Sequence, residues 1–108
     1  MLTQDISIYR GDDTAVTFTI LDSTNQPVDL SSYAVTMLIK PKGKDTYLLK
    51  EGAGIDVRGN QIAILFAHAL TKDWKFRTAI YDIQIVDSVG LYKTIVKGNI
   101  EVEMDVTP

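Results

Sequence analysis

Few side chains in this sequence can do chemistry, and their types and spacing limit what that chemistry would be. His68 is the single histidine, and the chain has no cysteine. Neither a thiol nucleophile nor a zinc centre built from the usual nitrogen and sulfur ligands can therefore be assembled. His68 is a candidate general base for Ser31, Ser32 or Ser88. No spacing ties it to any of them, and a catalytic triad is defined by geometry, so His68 reads as structural or solvent-facing. Asp12 and Asp13 are adjacent carboxylates beside Gly11, and Asp22, Asp29 and Asp87 fall in other polar turns. The ligand spacing of a calcium loop is missing, and aspartates in turns accept hydrogen bonds from their own backbone. Arg10-Gly11-Asp12 spells the tripeptide that integrins read, but without supporting context it reads as coincidence. No catalytic, metal or cofactor residues are expected, and the chain is not read as an enzyme.

Aromatic side chains offer a different chemistry, stacking against sugar rings. Tyr33, Tyr47, Trp74, Phe76 and Tyr92 are the candidates, and Trp74 and Phe76 lie two apart beside Lys75 and Arg77. Exposed at a loop edge, they would make a carbohydrate-binding or host-adhesion module. Buried, they would plug one end of a core, which is the favoured reading because a tryptophan hides so much area. The most basic stretch, Lys40-Pro41-Lys42-Gly43-Lys44, has no aromatic platform beside it and reads as a solvated loop. With a formal charge of −3 and interspersed signs, no nucleic-acid partner is expected. No run is apolar for long enough to span a bilayer, so no membrane partner is expected either.

Elements able to position these residues are nearly all strands. Length fits a single domain over 1–108, and the 45% hydrophobic content fits a folded one. Ile6 and Ile8 alternate before the Arg10 to Asp13 break; Val16, Phe18 and Ile20 alternate with Thr17 and Thr19; Val35, Met37 and Ile39 alternate up to Pro41. A period of two marks strands with one buried face. Thr46 to Lys50 and Ile55 to Val57 are shorter strands, the latter turning at Arg58-Gly59-Asn60 into Gln61 to Ala67, where both phases are apolar. That strand is expected to be covered on both sides. One short helical turn is expected near residues 68–74. Tyr81 to Val86 and the long run from Tyr92 to Val106, in which Tyr92, Thr94, Val96, Gly98, Ile100, Val102, Met104 and Val106 are read in one phase, form a hairpin across Asp87-Ser88-Val89-Gly90, with a bend or change of partner at Gly98-Asn99. Seven to nine short strands in this length predict an all-β, immunoglobulin-like sandwich.

Several phrases resemble a known family. Ile8-Tyr9-Arg10-Gly11-Asp12-Asp13, Gln26-Pro27-Val28-Asp29-Leu30-Ser31-Ser32-Tyr33, Tyr81-Asp82-Ile83-Gln84-Ile85 with Gly90 and Thr94, Gly98-Asn99-Ile100-Glu101-Val102 and Asp105-Val106-Thr107 together cover most of the chain. They are similar to the N-terminal domain of the bacteriophage and prophage baseplate upper protein and its short relatives. The resemblance implies an immunoglobulin-like module of a tail baseplate, built in the host bacterial cytoplasm and then carried in the virion tail. That setting agrees with the absence of cysteine and of a visible export signal. The longer proteins continue into helical and receptor-holding parts beyond the point matching Pro108, so the resemblance does not carry attachment to a receptor-binding subunit over to this chain.

The expected function is structural: other tail or baseplate proteins dock on strand edges or loops, and a closed homo-oligomer is one form this can take. Candidate contact residues are Ile6 and Ile8 in the first strand, Glu101 and Glu103 in the last, which runs from Ile100 to Val106, and Trp74 and Phe76. A glycan is a partner only under the adhesion reading.

Overall fold

Branched and aromatic residues at alternate positions place one face of most strands in the core, and the longer elements follow that pattern closely. The computed structural model describes residues 2–41 and 46–103. In chain order these form β1 (Leu2–Thr3), β2 (Ile6–Tyr9), β3 (Thr14–Thr19), β4 (Ala34–Pro41), β5 (Tyr47–Glu51), β6 (Gly54–Arg58), β7 (Gln61–Phe66), α1 (His68–Thr71), β8 (Thr78–Val86) and β9 (Tyr92–Glu103). The basic residues Lys42 and Lys44 and the end of the long strand, Met104 to Val106, lie outside the described residues.

The fold is all-β and sandwich-like, but its two layers are parts of one curled sheet. The hydrogen-bonded path runs β1-β9-β8-β4-β5-β6-β7-β3, with β2 also paired to β9. β5 and β6 pair in parallel, so the chain makes a tight loop through Gly52 and Ala53 and continues in the same direction, and the sheet turns its corner there. At that corner the Glu51 carboxylate accepts the Val35 N–H at 2.8 Å. The rings of Phe18 in β3 and Tyr81 in β8 then meet across the layers, centroids 6.4 Å apart. Between the layers sit Val35, Met37 and Ile39 of β4, Ile83 and Ile85 of β8, and Ile62, Ile64 and Phe66 of β7, all buried. Each such side chain contributes about 1.5–3 kcal/mol of hydrophobic stabilisation.

Three sequence expectations change. β7 is central in its pairing, between β6 and β3, yet its second face is open: Ala63 is half-buried and Leu65 is 47% exposed. β9 does not keep one phase, because a bulge between the pairs Ile83↔Val96 and Gln84↔Thr94 inserts Ile95, and Ile95 and Val96 are both buried. β1 is a strand that alternation does not reveal, since both its residues are exposed.

The expected change of partner at Gly98-Asn99 is present. β1 pairs in parallel with Val96 and Lys97, β2 pairs in parallel with Ile100 to Glu103, and the chain crosses Gly98 between them. Gln4 donates its N–H to Lys97 O at 2.9 Å and accepts the Tyr81 hydroxyl on its own carbonyl, while Asp5 accepts the Asn99 N–H at 3.0 Å. Burial, together with the nearby Asp5 charge, pushes the Tyr81 hydroxyl up to about 12, so it remains a donor at neutral pH.

Candidate interaction edges

An open sheet ends in two strands that are paired on one side only, and these are where another chain can add. Here the two ends are β1 with β2 on one side and β3 on the other. The predicted contact residues divide accordingly. Ile6 and Ile8 belong to a true edge strand, but their side chains are buried, so β2 offers backbone rather than isoleucine. Arg10 N–H bonds Glu103 O, which sets the parity of the strand: Ile6 and Ile8 face β9, while Ser7 and Tyr9 face outward. The Tyr9 carbonyl is already taken by the Asp12 N–H, leaving this edge short.

Glu101 and Glu103 are exposed but lie on β9, which has β8 on one side and β1 and β2 on the other. The expectation that the last strand forms an edge is therefore corrected for its described part: both backbone flanks are occupied.

β3 is the more open edge. Ile20 donates its N–H to Asn60 O at 2.8 Å, continuing the β3–β7 register. In an antiparallel pair the hydrogen-bonding residues alternate, so Phe18, Val16 and Thr14 face β7 and Ala15, Thr17 and Thr19 face away. Those three are also exposed by their side chains, beside Leu65 and Ala63 of β7. Neither β3 nor β7 contains a charged residue or a proline, the usual devices that blunt an edge.

Trp74 is a core residue, 1% exposed, which corrects its place among the contact candidates. Its ring packs on Phe76 and Tyr47, with centroids at 4.8 Å and 5.4 Å, and Phe76 is itself half-buried. No flat face is left on Trp74 for a sugar. Its indole N–H is buried without a partner among the described residues.

The Arg10 to Asp13 turn proves to be a latch. Arg10 Nη1 donates to Trp74 O at 3.2 Å, Gly11 N–H to the buried Thr71 hydroxyl at 2.9 Å, and His68 N–H to Asp13 Oδ1 at 2.7 Å. Gly11 sits at φ 88°, where a side chain would be strained. Residue 67, which precedes α1, gives no side-chain cap, so Asp13 supplies one from 55 residues away. His68 Nδ1 lies 3.0 Å from the same carboxylate oxygen, and among the described residues the imidazole ring has no hydrogen bond to a serine hydroxyl. The other turn carboxylates serve their own turns: Asp22 accepts from Thr24 and Gln26, Asp29 from Ser31, and Asp87 from Val89 and Leu91.

These bonds set a pH dependence. The His68 N–H holds Asp13 below its usual 3.8, the Thr24 hydroxyl does most for Asp22, and the Ser31 N–H does the same for Asp29. Each carboxyl binds its proton more weakly in the folded chain than in the unfolded one. Their stabilisation is complete above the unfolded value and is lost as pH falls through the lowered native values. We expect Asp13→Asn to lower the thermal midpoint at pH 7 and to converge on the wild type in a melting series taken below about pH 4. A difference that stays constant across the series would remove Asp13 from the titrating set.

A shallow hollow of about 560 Å³ on the outer face of the larger layer is lined by Thr3, Ile80, Asp82, Thr94, Lys97 and Asn99. Asp82 lies opposite Lys97 in register, and its Oδ1 is buried without a donor among the described residues. Desolvation raises the Asp82 carboxyl.

No family model matches the chain, and no curated protein matches it.

Proposed function

We propose that this protein is a non-enzymatic assembly module of a phage or prophage tail baseplate, holding its partners by strand addition at the open ends of its sheet. The observation that carries the reading is the pair of edges: outward backbone groups at Ser7 on β2, and at Ala15, Thr17 and Thr19 on an uncharged β3. Such groups lack partners in the sheet and gain them when a strand of another chain is added. The tail setting rests on the family-like phrases, which also carry bonds in the fold. The Gly11-Asp12-Asp13 phrase forms the latch, and the Gly98-Asn99 phrase receives the chain between β1 and β2. The adhesion reading loses its platform with Trp74 in the core.

The experiment is co-sedimentation of the purified domain with disrupted tail particles from its source. At micromolar concentration the wild type is expected to pellet with the particles. Ser7 and Thr17 direct their N–H groups away from their neighbours, so proline at both sites removes no bond of the sheet. The doubly substituted protein, Ser7→Pro with Thr17→Pro, is therefore expected to stay folded and remain in the supernatant. A wild type that does not pellet overturns the proposal.

A further inference from the structure

We infer that two copies of this chain join β3 to β3 across a two-fold axis at Thr17, making one continuous sheet. This deepens the assembly reading by naming the occupant of one edge. The reason lies in the self-complementarity of the strand. Ala15, Thr17 and Thr19 are the residues whose backbone N–H and C=O face outward. Set antiparallel to itself with Thr17 opposite Thr17, the strand brings Ala15 opposite Thr19 and Thr19 opposite Ala15. Every hydrogen-bonded pair formed is then a pair of outward-facing residues, each exchanging two hydrogen bonds.

Side chains agree with that register on both faces. On the outer face threonine meets threonine and alanine meets threonine, pairs that fit without a clash or a charge. On the inner face, half-buried Val16 comes opposite buried Phe18 of the other copy, extending the core across the junction. No charged residue lies in β3, so no like charges meet at the axis. The nearest charges, Asp13 and Asp22, are drawn back into their own turns by the His68 N–H and by Thr24 and Gln26. The β2 edge is less suited to the same symmetry, because only Ser7 there has both backbone groups free among the described residues. In the dimer it stays outside, once per copy, for the other tail proteins.

The chain contains no cysteine, so one introduced thiol reports on one position. Residues opposite each other in a hydrogen-bonded antiparallel pair have Cα atoms about 5.5 Å apart, within disulfide reach. Mild oxidation of Thr17→Cys is expected to give a covalent dimer in high yield, and Ser7→Cys on the other edge is expected not to. By sedimentation at micromolar concentration, the wild type should show twice 12.0 kDa. Thr17→Lys, which sets two ammonium groups face to face at the axis, should show 12.0 kDa and keep the wild type's β-sheet circular dichroism spectrum, with a melting temperature that no longer rises with protein concentration. A monomeric wild type overturns the inference, as does a dimer that survives Thr17→Lys or one in which Thr17→Cys does not cross-link. The assembly reading fails on a different result, a protein of either mass that does not pellet with tail particles.

Discussion

Replacing Gly98 by alanine is expected to destabilise the fold by about 3 kcal/mol, the upper part of the range for forcing an atom into packed space. Gly98 has no positive φ, so the cost is not conformational. A Cβ at this position would stand 1.9 Å from the Gln4 carbonyl oxygen and 2.7 Å from its carbon. Both are backbone atoms. The Gln4 chain is tied there by its N–H to Lys97 and by the Tyr81 hydroxyl, so it cannot give way without losing those bonds. Urea unfolding reads the loss. Gly90, where an added Cβ meets nothing within 4 Å, is a control for position, although its φ of 91° makes its own substitution mildly strained. If Gly98→Ala unfolds at the wild-type urea concentration, the crossing of Gln4 over Gly98 is not a fixed part of the fold.

Trp74→Ala is expected to cost about 3–5 kcal/mol, the range for emptying a buried aromatic site. The indole is the centre of the Tyr47, Trp74 and Phe76 cluster, and its own carbonyl receives Arg10 from the latch. Removing it leaves a void at the place where the β2 to β3 turn is fastened to the segment after β7. Trp74→Phe restores part of the ring and should recover more than half of the loss, which separates packing from a general effect of substitution. Thermal unfolding of the two variants supplies the measurement. A Trp74→Ala protein that melts with the wild type would return the residue to the surface and revive the sugar-stacking reading.

Strands whose two faces differ were legible in the sequence because burial imposes a period of two, and β2, β3, β4 and β8 were read directly from it. β9 was read correctly as a long strand but not in its phase. A single inserted residue shifts every later side chain, and Ile95 carries no local mark of being the insertion. The identity of the edges was hidden for another reason. Which strand is last in a sheet is decided by pairings between distant segments, such as Ile6 with Ile100, and nothing in the alternation near Glu101 or Glu103 records that β9 has neighbours on both sides. The latch was similarly invisible: Asp13 and His68 are 55 residues apart, Gly11 and Thr71 are 60 apart, and each looked isolated. Trp74 was the exception, its size alone favouring the core.

The parallel pairing of the first strands with β9 has a mechanical consequence. Leu2 to Tyr9 and Val96 to Glu103 run side by side in the same direction. Tension applied at Leu2 and Glu103 in opposite directions therefore slides one strand along the other and loads the cross-links together, instead of peeling them one at a time. The Gln4 crossing at Gly98, held by the Lys97 carbonyl and the Tyr81 hydroxyl, acts as a stop against slippage.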